Sequence, residues 1–379
     1  MINFSCRYYR ASRPCVFNKR DGSECPSCSH VSEFRNRILF VKLDAIGDVL
    51  RSASLLPVIA ARHDAPYIAW LTRSESVPLV GMMPHVDEVI ELSDVGLLQA
   101  TTGGWDYVYS LSNDLTSASI ATAVQAQHPP IGYSRDRGII QPSNDAARHW
   151  LEMAAFDRLK RQNTDSYQSL MLAILGADGQ AIARPTLEIP ESLRAAASER
   201  VRTLFMGRPR QKIAINVGSG GRWPKKMLDV AQVQQFIGRL RARVDADILL
   251  VGGAAEVAKT RAIVDAFGGD PHVQPALTER SIPEFVALLS QANVLFCGDT
   301  LALHIATALG LPTVAVFGPT SSAEIHDFDG LVTKVWTPDL DCLVCYGDCT
   351  KAGNCMSLLD IDRLVDLTVR KLPPRSIRT

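Results

Sequence analysis

Short apolar runs alternate with helix-like amphipathic segments, and this alternation occurs twice along the chain. The first series is Arg37–Leu43, Tyr67–Leu71, Val86–Glu91, Asp106–Ser110 and Pro130–Gly132, with a helical pattern from Asp48 to about Ala61 after the first run. The second is Lys212–Val217, Ala246–Val251, Val294–Cys297 and Thr313–Phe317, with helices expected over Met227–Arg243, Ala254–Phe267, Ile282–Gln291 and Leu301–Leu309. Strands separated by helices imply βαβ units, hence parallel sheets covered on both faces. The expected fold is therefore α/β, with two Rossmann-like domains facing a cleft. Such sheets bind ligands outside the carboxyl ends of their strands, so the turns after strands are the places to look for chemistry.

Composition agrees with two domains. The chain has 379 residues, 46% hydrophobic and 21% charged, enough to bury real cores. The expected divisions are a Cys-rich arm at 1–36, an acceptor domain at 37–190, a donor domain at 205–335 and a Cys-rich loop with a final helix at 336–379. Residues 133–165 show no strong pattern and read as a long loop, and 177–190 reads as a linker. Thr164–Gly176 and Leu358–Lys371 read as helices. Forty Lys+Arg balance forty Asp+Glu, which argues against coating nucleic acid, since that requires surplus positive charge. No run of apolar residues is long enough to span a bilayer. The opening MINFSCRYYRASRPC has no apolar core of a secretory signal. A cytoplasmic location is expected, with peripheral contact at the inner face of the membrane.

Eight of the nine cysteines fall into two groups, Cys6, Cys15, Cys25, Cys28 and Cys342, Cys345, Cys349, Cys355. In a reducing compartment, four thiols gathered in a short loop suit a structural metal, with zinc the first expectation and an iron–sulfur cluster the alternative. The second group spans only residues 342–355 and carries this reading best; eight ordinary thiols are the other reading. Cys297 lies in an apolar run and reads as buried and inert.

Three turns after strands carry candidate chemistry. In Asp44-Ala45-Ile46-Gly47-Asp48 the carboxylate of Asp48 is either a helix cap or a general base. In Asn216–Lys226 the stretch Gly218-Ser219-Gly220-Gly221-Arg222 and the cations Lys225 and Lys226 suit a phosphate, or else form a solvated loop. In Cys297–His304, Asp299 and Thr300 stand between strand and helix, and His304 shares a helical face with Thr300. Three such turns in two halves point to a nucleotide-linked ligand.

The segments ILFVKLDAIGDVLRSASLLP and GDTLALHIATALGLPTVAVFGPT, supported by GRWP and VDEVIEL, resemble glycosyltransferase family 9, the heptosyltransferases of bacterial lipopolysaccharide assembly. The resemblance runs over about residues 37–320. It implies a GT-B fold, an inverting mechanism and transfer that needs no metal. It also implies a nucleotide-sugar donor and a glycan or glycolipid acceptor. By the same resemblance Asp48 matches the catalytic base, Asp299, Thr300 and His304 match a donor-contacting segment, and Glu256 matches an acidic contact to the donor nucleoside. Leu301 stands where family members usually have glycine, and Gly221 where they usually have lysine, so the donor pocket differs. A sugar-nucleotide epimerase of the same fold, or a non-catalytic metal-binding scaffold, are the alternatives; a redox protein built on the cysteines lacks a cofactor fingerprint.

Overall fold

The computed structural model describes the chain except residues 11–12, 208, 219–225, 277–280, 348, 352 and 375–379. It divides into two compact units, Met1–Leu151 with Ser169–Ala183, and Glu152–Gln168 with Arg184–Thr379.

The first unit is built on a six-stranded sheet of β1 (Asn36–Val41), β2 (Pro66–Thr72), β3 (Glu88–Glu91), β4 (Tyr107–Ser110), β5 (Ile131–Asp136) and β6 (Ile139–Pro142). The order is β3-β2-β1-β4-β5-β6, parallel except for the β5–β6 hairpin at the edge. The second unit holds β7 (Gln211–Asn216), β8 (Ala246–Val251), β9 (Val273–Pro275), β10 (Val294–Gly298), β11 (Thr313–Val316) and β12 (Val332–Val335). Its order is β12-β11-β10-β7-β8-β9, with every pairing parallel. Both orders are those of the doubly wound dinucleotide fold, in which the chain reverses direction between the first and fourth strands.

Central strands of such sheets are covered on both faces, so they must be apolar throughout rather than alternating. ILFV of β1, every residue of β8 and every residue of β10 are accordingly buried. The β8 strand nevertheless carries Asp247, fully buried, whose Oδ1 lies 2.9 Å from Nδ1 of His272. The amino-terminal arm is tied to the first unit by Arg7, whose guanidinium donates to Asp87 at 2.9 Å, and by Arg10, which donates to the Asp87 carbonyl at 2.7 Å.

Residues 133–165 are not a loop. They form the β5–β6 hairpin and the helices Asp145–Ala155 and Asp157–Gln162. Most side chains of β6 lie at or near the surface, so it lacks the apolar signal of a core strand. The first helix is begun by Asn144, whose Oδ1 accepts from the Ala147 N–H at 2.9 Å. Helix starts also move. The helix expected from Met227 begins at Val230 behind a capping box of Asp229 and Gln232. The one expected from Ala254 splits into a 3₁₀ turn, Ala254–Glu256, and a helix, Val257–Asp265. The last helix is Ile361–Lys371, capped by Asp360, and Leu358 stands outside it, exposed. The stretch 177–190 contains no helix or strand.

Under the first sheet, His63 Nε2 lies 2.8 Å from the Tyr109 hydroxyl, and its ring packs on Tyr107, which stacks on His128. Burial, then the charge of Arg62, hold the imidazole below its ordinary value of 6.5. The unfolded chain therefore binds this proton more readily than the folded one. The stability at stake is present above pH 6.5 and is lost as pH falls from there towards the lowered folded value. Urea unfolding at a series of pH values is expected to show this loss in the wild type and a smaller one in His63→Gln. Equal slopes in the two proteins would show that His63 does not contribute.

Candidate functional site

In each unit the sequence-predicted residues stand at the point where strand order reverses. The exits of β1 and β4 are adjacent in the first unit, and those of β7 and β10 in the second.

The β1 exit is organised around a buried lysine. The Lys42 side chain is only 3% exposed, and its ammonium lies 2.7 Å from Asp44 Oδ2 and 3.0 Å from the Leu111 carbonyl beyond β4. Ser112 also donates to Asp44, and its hydroxyl accepts from the Leu43 N–H at 3.0 Å. A buried ammonium is tolerated because these oxygens replace its water; removing one partner of such a pair typically costs about 3–5 kcal/mol. The network clamps the β1 exit to that of β4 and so fixes where the next turn begins. The helix Ile46–Ser52 follows, with Ala45 as its N-cap residue. Asp48 is therefore not the N-cap: it is the third helical residue, and its carboxylate lies 2.8 Å from the Arg51 guanidinium. Asp48 is about one-third exposed while Arg51 is largely buried, so the pair presents the carboxylate at the surface of the turn.

In the second unit the β7 exit is shaped by Asn216, whose Oδ1 accepts from the Gly218 N–H at 2.8 Å. A side chain at Gly218 would meet the Glu256 carboxyl at 2.8 Å. Glu256 is itself fixed by the Gly253 N–H, which donates to Oε2 at 2.8 Å. A side chain at 218 would displace the Glu256 carboxyl, so the structure brings Gly218 and Glu256 together. Ser219, Gly220, Arg222 and Lys225 lie outside the described residues.

The β10 exit carries Asp299, whose carboxylate lies 3.3 Å from the Lys226 ammonium. Thr300 is the N-cap residue of Leu301–Leu309, yet its hydroxyl makes no cap bond and reaches only the Gly298 carbonyl, at 3.5 Å. His304 stands one turn further along the same helix. Cys297 is fully buried; burial, then Asp299, push its thiol well above the ordinary value, so it is inert as expected.

Among the described residues, no three Cys, His, Asp or Glu side chains stand together in a way that could hold a metal ion. In the first cysteine group, Cys6 lies in an isolated bridge to Glu33, Cys15 starts the helix Val16–Asp21, and Cys25 and Cys28 flank a 3₁₀ turn. The second group is closer-knit. Burial, then the charges of Cys345, Cys349 and Cys342, raise the Cys355 thiol, so each of the three lies within electrostatic reach of Cys355. Cys355 packs on Gly318, where a side chain would come within 2.3 Å of its sulfur.

The same loop delivers a residue that sequence reasoning missed. The Tyr346 hydroxyl donates to Glu324 at 3.0 Å and accepts from the Ser321 N–H at 3.4 Å. Burial first, then Glu324, raise its phenol above the ordinary value, and Asp299 adds to this. The only sequence signal was its place between Cys345 and Cys349. Lys42 carried a signal in principle, as a cation directly after the apolar run of β1.

A side chain at Gly298 would stand 2.0 Å from the Lys226 carbonyl. Gly298→Ala must therefore separate the β10 exit from Lys226 and is expected to destabilise by about 3 kcal/mol. Urea unfolding checks this, and a midpoint equal to wild type would refute it.

Comparison with known proteins places this geometry. Glycosyltransferase family 9 (heptosyltransferase) matches residues 97–355. Escherichia coli ADP-heptose LPS heptosyltransferase II is similar in structure, with TM-score 0.66 and 19% identity, over 88% of this chain and 98% of that one. The family 9 glycosyl transferase from Veillonella parvula gives TM-score 0.68 and 17% identity, over 89% and 97%. The iron-containing dodecameric glycosyltransferase TibC from enterotoxigenic E. coli gives TM-score 0.52 and 12% identity, over 89% and 76%. No curated protein sequence matches. Two parallel Rossmann-like sheets together with the family match mean that this chain belongs to glycosyltransferase family 9, the heptosyltransferases, and is a glycosyltransferase of GT-B fold.

Proposed function

We propose that the chain moves a heptose or another sugar, with inversion, from a nucleoside diphosphate sugar to a bacterial surface glycan such as lipopolysaccharide core. The observation that carries this reading is the Asp48–Arg51 pair at the exit of β1, set on the Lys42 clamp. An ion pair orients the carboxylate and favours its anionic form, the form that accepts a proton. In the proposed step Asp48 takes the proton of an acceptor hydroxyl as that oxygen bonds to the anomeric carbon. The bond from that carbon to the donor's diphosphate breaks, and the diphosphate leaves with the electron pair.

The developing negative charge is met in the second unit by Lys226 and by N–H groups near Gly218 and Asp299–Thr300. Arg222 and Lys225 are sequence-level candidates for the same task. Glu256, set against Gly218, is proposed to contact the donor nucleoside, and His304 to contact the donor. Heptosyltransferase II is described as acting with ADP-heptose, which supports a donor of this class. Leu301, where the family usually has glycine, leaves the sugar to be identified by trial. No Asp-x-Asp stands at a strand exit, so transfer is proposed to need no divalent ion. Among the described residues, no helix is long and apolar enough to cross a membrane. Work at the inner face of the cytoplasmic membrane is the proposed setting.

The thiols of Cys342, Cys345, Cys349 and Cys355 are proposed to close on one structural metal. Four thiols within residues 342–355 form a set that a soft cation neutralises, and TibC is described as iron-containing. When bound, the metal would fix the loop rather than take part in transfer. The first group, Cys6, Cys15, Cys25 and Cys28, is a weaker candidate for a second ion.

Mass spectrometry of products from a panel of ADP-, GDP-, UDP- and dTDP-linked sugars tests the donor class. Asp48→Asn is expected to lower turnover by about 10²–10⁴-fold while donor binding persists; wild-type turnover would leave Asp48 a purely structural residue. Asp299→Ala is expected to weaken donor binding. Metal analysis of protein purified without chelator is expected to give about one ion per chain. Negligible metal, with all the cysteines titrating in the native fold, would overturn the metal reading, and iron in place of zinc would keep the ligands.

A further inference from the structure

The turn Gly318–Ser321 follows β11 directly and lies beside Asp299, because Val316 of β11 pairs with Gly298 of β10. Within it the Thr320 side chain is buried, 5% exposed, and its hydroxyl has no hydrogen-bond partner among the described residues. Buried hydroxyls are nearly always paired, since an unpaired one retains its whole desolvation cost.

The turn is held from the cysteine loop. The Val344 N–H donates to the Gly318 carbonyl at 2.9 Å and the Tyr346 N–H to the Pro319 carbonyl at 2.8 Å. The Tyr346 hydroxyl bridges the Ser321 N–H and Glu324. The Lys160 ammonium lies 5.1 Å from the centre of the Tyr346 ring. Val344 and Tyr346 adopt φ of 58° and 46°, which side chains beyond Cβ disfavour. Such strain persists where the surroundings over-determine the backbone, and it gathers at ligand clamps.

We propose that Thr320 is a donor contact whose hydroxyl pairs with a hydroxyl of the transferred sugar, and that Tyr346 is the positioning residue through which the cysteine loop keeps Thr320 beside Asp299. The carboxylates of Asp299, after the neighbouring strand, and of Glu324, bonded to Tyr346, favour a ligand group that donates hydrogen bonds over phosphate oxygens. The inference rests on the donor reading above and assigns that site a sugar-recognising wall.

The test compares binding of ADP-heptose with binding of ADP by titration calorimetry; if the panel identifies another donor, that sugar nucleotide and its nucleoside diphosphate replace this pair. Thr320→Val keeps the shape and removes the hydroxyl. A merely structural threonine would give a protein at least as stable and unchanged in binding, because an unpaired buried polar group has been removed. The proposal expects ADP-heptose to bind about tenfold more weakly, ADP to bind as before, and Thr320→Ser to restore the sugar-dependent part. Tyr346→Phe is expected to produce the same selective loss with unchanged metal content and thermal midpoint. Equal binding by Thr320→Val and wild type would overturn the contact. Equal weakening of ADP and ADP-heptose would overturn its assignment to the sugar, and a silent Tyr346→Phe would overturn the coupling to the cysteine loop. Wild-type protein that binds no member of the panel would refute the donor reading itself, an outcome distinct from all of these.

Discussion

Burial of parallel strands on both faces is the constraint from which the rest follows. Strands such as β8 and β10, covered above and below, are buried throughout and, Asp247 apart, carry no charged side chain. Polar chemistry is then confined to the strand ends. At the point where strand order reverses, neighbouring helices run off to opposite faces and leave a crevice. Lys42, Asp48, Gly218 and Asp299 all lie at or just after such an end. Within each unit that placement is a consequence of topology.

Charges that do enter the interior are compensated locally. Lys42 sits among Asp44 and the Leu111 carbonyl, and Asp247 sits against His272. The first of these lies directly under the turn that carries Asp48. An isolated buried ammonium would lose several kcal/mol of hydration, so the lysine, the carboxylate and the carbonyl hold one geometry between them. That rigidity suits a turn that must present a carboxylate in one orientation. The β7 and β8 exits obtain the same result through close approach, with Gly218 leaving room for Glu256.

The cysteine loop extends this organisation beyond the two sheets. It reaches the donor-side strand ends through backbone bonds to Gly318 and Pro319 and through the Tyr346 phenol. Cys355 reaches the same turn by packing on Gly318, which has no side chain to obstruct it. The Cys355 sulfur and the Tyr346 phenol therefore bear on a single turn. Its two left-handed residues, Val344 and Tyr346, show that tertiary contacts rather than local preference set its path.

The sequence by itself determined the α/β class and the family, because apolar period and long motifs are local properties of the chain. It also marked Asp48 and Asp299 at their turns, since a turn after a buried strand is readable from composition, and Glu256 through the family resemblance. It misread 133–165, where the β6 side chains face the surface and give no core-strand signal, and where the helix behind Asn144, amphipathic though it is, was passed over. Whether Asp48 caps its helix was undecided in the sequence, because a shift of three residues in the helix start separates the cap from the third helical position. Only the tertiary structure decided that Ala45 takes the cap and Asp48 the third position. It alone set Lys42 beneath that turn and brought Tyr346 to Glu324 and to the turn that carries Thr320. Those relations join residues far apart along the chain, and their distances are fixed by packing between elements, which no local pattern encodes.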